Sequence, residues 1–167
     1  FHGASHRFIS ERVAEAYWPQ GKPLRLVSCH LGGSSSLCAI KDGKSIDTSM
    51  GFSTQSGLPM SSRVGTIDPL VHFYILSKTK ITHDELLHNF VTNSGLKGIS
   101  GLSGDIRDLE EAAAKGNRRA SLALKVFEYE LKLYIGAYSA ALNGVDVIAF
   151  TGGIGENASQ LRGHVLS

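Results

Sequence analysis

The amino-acid sequence predicts an α/β domain in which an antiparallel β-meander is followed by helices and a later β-α unit. Between residues 24 and 50, short apolar runs alternate with glycine turns, as in strands joined by hairpins. Elsewhere, apolar side chains recur at helical spacing. Near the end of the chain, a β-branched run at residues 145–150 leads into a glycine turn and the start of a helix.

The first elements are a helix and the meander. Apolar residues at helical spacing predict a helix over residues 5–18, which a proline-containing segment at 19–23 ends. A Gly-Gly turn at 32–33 joins the first two strands, and the Asp-Gly pair at 42–43, a strong hairpin signal, joins the next two. The three strands are predicted at residues 24–31, 37–40 and 45–50.

Capping signals define the helices after the meander. Asp68 is a predicted N-cap with Pro69 at the first helical position, and this helix runs to residue 78. Thr82 and Glu85 form a capping-box pattern that starts another helix. Residues 93–105 contain four glycines and show no sustained period, so they are predicted to form an ordered loop.

The last third of the chain returns to a sheet. Helices are predicted over residues 105–115 and 118–142, and Asn143-Gly144 ends the second one. The strand at 145–150 and the glycine turn at 151–157 precede a final helix. No internal repeat or linker interrupts the pattern, so a single domain suffices.

Composition excludes several classes of protein. The 167 residues are 42% hydrophobic, enough for a core, and the net charge of +2 gives no basic patch for nucleic acid. No apolar run approaches the roughly 20 residues that span a bilayer. We therefore expect a cytoplasmic protein without nucleic-acid or membrane partners. Cys29 and Cys38 flank the first hairpin and could face each other across it, but buried reduced thiols are favoured over a disulfide.

Four segments could hold an anion. The hairpin of Gly32, Gly33 and three serines could aim backbone N–H groups at phosphate, and so could the helix start after residue 152. Asp105 and Arg107 place a carboxylate and a guanidinium at a loop edge, and the Arg63 loop could grip a phosphoryl group. Each segment also has an ordinary structural interpretation, as a tight turn, a helix cap or a solvated arginine.

Residues 153–158 also fit the dinucleotide-binding pattern G-x-G-x-x-A. That site would need an acidic residue about 20 positions downstream and would normally follow the first strand of a parallel sheet. Here the pattern follows three meandering strands, so a dehydrogenase is disfavoured.

Six blocks in chain order resemble the acetate kinase family along the whole sequence. They are FHGASH at 1–6, CHLG at 29–32, DTSMGF at 47–52, SGLKGISG at 94–101 with Asp105 and Arg107, GAY at 136–138 and FTGGIGEN at 150–157. The resemblance implies the actin-like sugar-kinase (ASKHA) fold. It also implies ATP or ADP with Mg²⁺, and phosphoryl transfer between ATP and a short-chain carboxylate such as acetate.

The same resemblance assigns roles to residues. His2 and Arg63 match the catalytic positions that steady the transferring phosphoryl group, and Phe1 and Thr54 match the substrate pocket. No metal ligand is carried over. The nucleotide-binding positions are His30, Leu31, Gly32, Gly33, Ser34, Asp105, Ile106, Arg107, Gly153, Ile154, Gly155, Glu156 and Asn157. The implied geometry brings the hairpin, the Asp105 corner and the glycine turn into one cleft.

Three positions depart from the family pattern. Gly33 replaces an asparagine of the phosphate hairpin, and an acidic neighbour of Arg63 is missing. Thr54 replaces a proline that lines the methyl pocket, so acetate need not be the preferred acid. A propionate or butyrate kinase and a non-catalytic nucleotide-binding relative therefore remain alternatives.

The resemblance also predicts that the chain is a fragment. Residues 1–167 would form one partial domain, most of the carboxy-terminal nucleotide-binding domain, without the amino-terminal domain and the last carboxy-terminal segment. We expect the fragment alone to be inactive and the full-length protein to form a homodimer.

Overall fold

The computed structural model describes residues 1–167 and contains eight helices and four strands. The strands are β1 (Arg25–Leu31), β2 (Ser35–Lys41), β3 (Lys44–Thr48) and β4 (Val147–Thr151). The helices are α1 (Gly3–Tyr17), α2 (Pro69–Lys78), α3 (His83–Thr92), α4 (Gly95–Ser100), α5 (Ile106–Ala114), α6 (Arg118–Ala141), α7 (Gly152–Asn157) and α8 (Ser159–Leu166).

The strands form one mixed sheet in the order β3-β2-β1-β4. Strands β1 to β3 pair antiparallel, which confirms the predicted meander, whereas β4 pairs parallel to β1. Parallel pairing places β4 directly beside the first strand although a long stretch of chain separates the two. Arg25 and Asp146 close this junction with an ion pair of 2.6 Å between Nη2 and Oδ1.

Helix α1 covers one face of the sheet. Val13 of α1 packs in a buried cluster with Leu26 of β1 and Ile40 of β2, and Ile9 and Val147 pack at its edge. Directly paired residues share a face, and neighbours along a strand alternate between faces. The same face therefore continues from this apolar cluster to the polar residues at the carboxyl end of β1.

The two cysteines lie on opposite faces of this sheet. Cys29 is paired with Leu37, and Cys38 is paired with Ser28. The prediction that they could face each other across the hairpin is therefore wrong, because the register shifts them by one residue. The prediction of buried, reduced thiols is confirmed, and burial raises the pKa of both.

The predicted helix starts are confirmed. The Asp68 carboxylate accepts the N–H of Leu70 at 2.8 Å, with Pro69 in the first turn of α2. Thr82 and Glu85 form the reciprocal capping box of α3. These side chains satisfy N–H groups that a helix start leaves without partners.

Two glycine-rich segments form helices that the sequence did not predict. Residues 93–105 were expected to form a loop, but Gly95–Ser100 is α4. The turn expected at 151–157 is largely α7, Gly152–Asn157. Glycine lowers intrinsic helix propensity, and in both segments tertiary contacts outweigh it.

The chain forms two compact units. The first comprises Phe1–Met50 and Glu128–Ser167 and contains the sheet, and the second is Gly51–Phe127 and contains α2 to α5. The prediction of one partial domain stays a prediction. No helix combines the length and the apolar character that a bilayer crossing requires.

Candidate functional site

Three histidines meet at the polar end of the α1 face in the first unit. The rings of His2 and His30 stack, with centroids 3.9 Å apart and planes inclined by 23°. The ring of His6 lies edge-on to both at 6.4 Å. His2 and His6 are four residues apart at the start of α1, which puts them on the same side of the helix.

Serine hydroxyl groups connect these rings to the sheet. Ser36 Oγ lies 2.9 Å from His2 Nδ1 and 2.9 Å from His6 Nε2. His6 Nδ1 lies 2.9 Å from Ser28 Oγ. Ser28, Ser36 and His30 share one face because Ser36 is paired with His30 and Ser28 lies two residues before it.

The environment of the cluster favours neutral imidazoles. Burial, followed by the neighbouring rings of His30 and His2, lowers the pKa of His6 to about 4. Burial also lowers the pKa of His30. Two stacked imidazolium ions would repel each other, so the cluster holds hydrogen-bond donors without accumulating positive charge.

The backbone at His2 is unusual. His2 is the N-cap of α1 with φ 54° and ψ 20°, the left-handed region that few non-glycine residues occupy. Such a conformation costs about 1 kcal/mol or more. In return it directs the imidazole to Ser36 and His30, while the His2 carbonyl accepts the N–H of His6 at 2.9 Å.

The predicted phosphate hairpin follows β1 at the same end of the sheet. Ser35 Oγ donates to the Gly32 carbonyl at 3.1 Å and closes the turn. Gly33 is exposed, and Gly32 and Ser34 are partly buried. The turn therefore leaves backbone at the surface beside His30.

The glycine turn after β4 lies next to this hairpin. Thr151 is paired with His30 across the parallel strands. Gly152, with φ +79°, sits so close to β1 that a Cβ there would come within 2.6 Å of the Leu31 carbonyl oxygen. Only glycine fits this approach, so the structure brings together the two glycine-rich segments that the sequence singled out in this unit.

Helix α7 is held from its carboxyl end. Asn157 Nδ2 donates to the Gly153 carbonyl at 2.8 Å, and Arg162 Nη1 donates to the carbonyls of Gly155 and Glu156 at 2.8 Å each. Gly153 is exposed. Arg162 holds the segment that was predicted to bind nucleotide, and no sequence pattern indicates this role.

Arg63 and Thr54 lie together in the second unit. Arg63 Nη1 is 3.5 Å from the Thr54 carbonyl and 3.7 Å from Met60 Sδ. The Arg63 carbonyl accepts the N–H of Met60 at 3.0 Å, which closes a tight turn. The structure thus places the predicted catalytic arginine beside one of the predicted substrate-pocket residues.

Helix α4 is seated on the Arg63 turn. The N–H groups of Ser94, Leu96 and Lys97 donate to the carbonyls of Ser62, Met60 and Ser61, each at 2.9 Å. These carbonyls satisfy N–H groups at the start of α4. Gly95 has φ +57°, and a Cβ there would lie 2.1 Å from the Met60 carbonyl oxygen and 2.5 Å from that of Arg63.

Asp105 and Arg107 form a forked ion pair at the start of α5. Asp105 Oδ1 accepts the backbone N–H of Arg107 at 2.9 Å, as the predicted cap requires. The guanidinium donates to both carboxylate oxygens, at 3.0 and 2.6 Å. These bonds from Arg107 lower the pKa of Asp105 to about 2, and the Arg107 side chain stays 87% exposed.

The site residues therefore fall into two groups. The first unit gathers His2, the hairpin that begins at His30, and α7. The second holds Thr54 and Arg63, together with Ile106, which is buried between Asp105 and Arg107. Phe1 is 62% exposed.

Sequence reasoning missed two kinds of residue. His6 and Ser36 support the ring of His2. The four-residue spacing of His2 and His6 was the sequence feature that could have indicated this role for His6. The carbonyls of the Arg63 turn seat α4, and no sequence signal exists for such backbone contacts.

The donor groups differ in what they could hold. Exposed glycine backbone, serine hydroxyls and arginine suit a polyphosphate. No group of three or more His, Cys, Asp or Glu side chains is arranged to hold a metal ion.

The chain matches the family model described as the Acetokinase family over residues 1–167. The acetate kinases of Geobacillus sp. (strain WCH70) and Bacillus subtilis (strain 168) are 52% and 51% identical over 166 residues. Each alignment covers 99% of this chain and 42% of the relative. The chain thus spans about 42% of the length of these curated relatives.

Solved structures agree with the family match. The chain superimposes on Porphyromonas gingivalis acetate kinase with a TM-score of 0.95 at 40% identity, covering 99% of this chain and 41% of that one. For a propionate kinase from Francisella tularensis the TM-score is 0.92 at 38% identity, covering 98% of this chain and 42% of that one. These likenesses confirm the predicted α/β fold of the actin-like, sugar-kinase type.

Proposed function

The chain belongs to the acetokinase family, and from this premise we propose that the full-length protein transfers a phosphoryl group reversibly between ATP and a short-chain carboxylate. The products in the forward direction are an acyl phosphate and ADP. The observation that carries the proposal is the stacked His2–His30 pair beside two glycine-rich segments, which gathers groups suited to phosphate at one end of the sheet.

His2 would donate a hydrogen bond to the transferring phosphoryl group. Negative charge spreads over the equatorial oxygens in the transition state, so donors aimed at those oxygens stabilise it more than the ground state. Arg63 would share this task with a delocalised positive charge. Neither residue needs to form a covalent intermediate.

The nucleotide would be held by backbone more than by side chains. The hairpin at residues 30–34 would approach the phosphates, with Gly33 and the serine hydroxyls in place of an asparagine amide. Residues 153–157 would form the second nucleotide segment. The exposed Arg107 guanidinium, kept in plane by Asp105, offers a flat surface on which an adenine could stack.

Mg²⁺ is expected to accompany ATP and to neutralise phosphate charge. This chain offers no cluster of metal ligands. Carboxylates outside residues 1–167 are proposed to hold the ion together with the nucleotide phosphates.

The acid is proposed to be acetate or propionate. Both names occur among the structural relatives. Thr54 lies against Arg63, and its side chain is more polar than the proline expected there. We therefore infer that acid length and polarity are sensed near Thr54 and Phe1.

We further propose that the full-length protein is a cytoplasmic homodimer and that residues 1–167 alone do not turn over. Helix α2 supports the dimer because none of its residues is buried although most are apolar. The missing chain length supports the inactivity of the fragment.

The test is acid-dependent ADP formation by the full-length protein. ATP would be supplied with acetate, propionate or butyrate, and acyl phosphate would be trapped as the hydroxamate. We expect turnover with at least one acid, and kcat/KM across the series identifies it. ATP protection against thermal unfolding without acid-dependent ADP formation would instead identify a non-catalytic nucleotide-binding relative, the alternative that Gly33 in place of an asparagine allows.

The fragment is tested in the same assay. Purified residues 1–167 should form no acyl phosphate above background. Robust turnover by the fragment would contradict the proposal that the missing segments supply essential groups.

A further inference from the structure

We propose that His6 is a positioning residue for His2, and that it acts through the Ser36 hydroxyl to fix which ring nitrogen of His2 carries hydrogen. The inference rests on the proposed role of His2 as a donor to the phosphoryl group. It adds a specific task for two buried residues, His6 and Ser36.

The coupling follows from the hydroxyl between the two rings. Ser36 Oγ is 2.9 Å from His2 Nδ1 and 2.9 Å from His6 Nε2. A hydroxyl has one hydrogen, so it donates to one imidazole nitrogen and accepts an N–H from the other. The hydrogen on His6 therefore determines whether His2 Nδ1 is an acceptor or a donor.

His6 can perform this task because it keeps a single N–H. Its side chain is 4% exposed, and Nδ1 is occupied by Ser28 Oγ at 2.9 Å. The groups that face it from α1 and the sheet are His2, His30, Ser28 and Ser36. None of these is an anion that would stabilise a second proton.

In the arrangement consistent with function, the hydrogen bonds from Ser28 to His2 all point the same way. Ser28 donates to His6 Nδ1, His6 Nε2–H donates to Ser36, and Ser36 donates to His2 Nδ1. Neutral His2 then carries its hydrogen on Nε2, where it can donate to a phosphoryl oxygen. Two imidazolium rings stacked at 3.9 Å would repel each other, so His2 and His30 do not both carry a second proton.

The experiment uses the full-length protein labelled with [¹⁵N]histidine. Long-range ¹H–¹⁵N spectra report the protonation of each imidazole nitrogen directly. We expect the Nε2–H form of His2 in the wild type, and a shift toward the Nδ1–H form in Ser36→Ala and His6→Leu. His6→Gln, whose amide N–H can replace Nε2–H, should restore the wild-type tautomer.

Kinetics give the second readout. A wrong tautomer removes a donor that is used in the transition state, so kcat should fall at least about tenfold in Ser36→Ala while KM for ATP changes little. His6→Gln should recover most of this loss. A purely structural role for His6 would instead lower stability in all three variants, with no change in the nitrogen shifts of His2.

Ser5→Ala is the matched control. It removes a hydroxyl contact of similar length, 2.8 Å, to His30 Nδ1 and leaves Ser36 untouched. The His2 nitrogen shifts should not change in this variant.

Wild-type His2 shifts in folded Ser36→Ala, or an altered tautomer with unchanged kcat, would overturn the inference. Failure of the proposed function shows up differently, as a wild-type protein without acid-dependent ADP formation. The tautomer measurement does not depend on activity, so the two failures are distinguishable.

Discussion

The hydrogen-bond partners of His2 depend on the pairing of β1 with β2, which places Ser36 opposite His30. Ser36 Oγ contacts both His2 Nδ1 and His6 Nε2, so the three side chains act as one unit. A change at His6 is therefore expected to affect more than its own contacts.

His6 should make the stability of the protein depend on pH. Its pKa is about 4 in the folded state and 6.5 without perturbation, so below pH 6.5 the unfolded chain binds a proton that the native state excludes. The free energy of unfolding should therefore fall as pH drops from about 6.5 to 4, by about 2 kcal/mol from this group after allowance for solvent screening.

Denaturant titrations of the full-length wild type and His6→Gln at several pH values measure this effect. Glutamine does not titrate in this range. Between pH 7.5 and 4.5 the wild type should therefore lose about 2 kcal/mol more unfolding free energy than His6→Gln does. A difference independent of pH would contradict the prediction.

Arg63→Ala should affect turnover far more than folding. The Arg63 carbonyl accepts the Met60 N–H, a bond that alanine retains, whereas the guanidinium contributes long contacts of 3.5 Å to the Thr54 carbonyl and 3.7 Å to Met60 Sδ. Loss of the guanidinium removes charge stabilisation from the transition state, so kcat should fall by roughly 10²–10³-fold. Arg63→Lys is the control that keeps the charge and loses the planar fork, and its kcat should lie between those of the wild type and Arg63→Ala. A kcat for Arg63→Ala within a few-fold of the parent would remove Arg63 from the catalytic assignment.

Among the secondary-structure elements, α4 is one that the sequence did not predict. Capped helices such as α2 and α3 were predictable because Asp68 and Thr82 act on residues two or three positions away. Helix α4 has no such local cap, and its first N–H groups are satisfied by the distant carbonyls of Met60, Ser61 and Ser62. Gly95 and Gly98 disfavour a helix locally, so only these distant contacts explain it.

Gly95→Ala should disturb both α4 and the Arg63 turn. The added Cβ would meet the Met60 carbonyl oxygen at 2.1 Å in a left-handed backbone, so we expect a stability loss of about 2–4 kcal/mol and a lower kcat. Gly116→Ala is the matched control, because φ there is +86° and nothing lies within 4 Å. It should cost only about 1 kcal/mol, the strain of the left-handed conformation alone. Urea denaturation of the full-length variants measures the comparison, and equal losses would show that the contact with the Arg63 turn is unimportant.

At the scale of the whole molecule, α2 stands out as an uncovered apolar surface. Phe73 and Tyr74 are each 65% exposed, and Leu70 is 69% exposed. A helix that is apolar and without buried residues is expected to have a partner in the complete protein. A second copy is the partner proposed here.

Phe73→Asp should therefore convert the full-length protein from dimer to monomer, as measured by light scattering after size-exclusion chromatography. Leu87→Asp on α3, where the side chain is 60% exposed, is the matched control and should leave the dimer intact. If Phe73→Asp unfolds the protein without changing its oligomeric state, α2 is covered by the remainder of the same chain.

The parallel pairing of β1 with β4 also has a consequence for synthesis. Arg25 and Asp146 at this junction are 121 positions apart, so at 5–20 residues per second the ribosome needs roughly 6–24 s to deliver the strand that completes the sheet. During that interval the nascent β1 edge is open to pairing with other chains. Chaperone protection of the emerging polypeptide is therefore most valuable between translation of the first hairpin and release of β4.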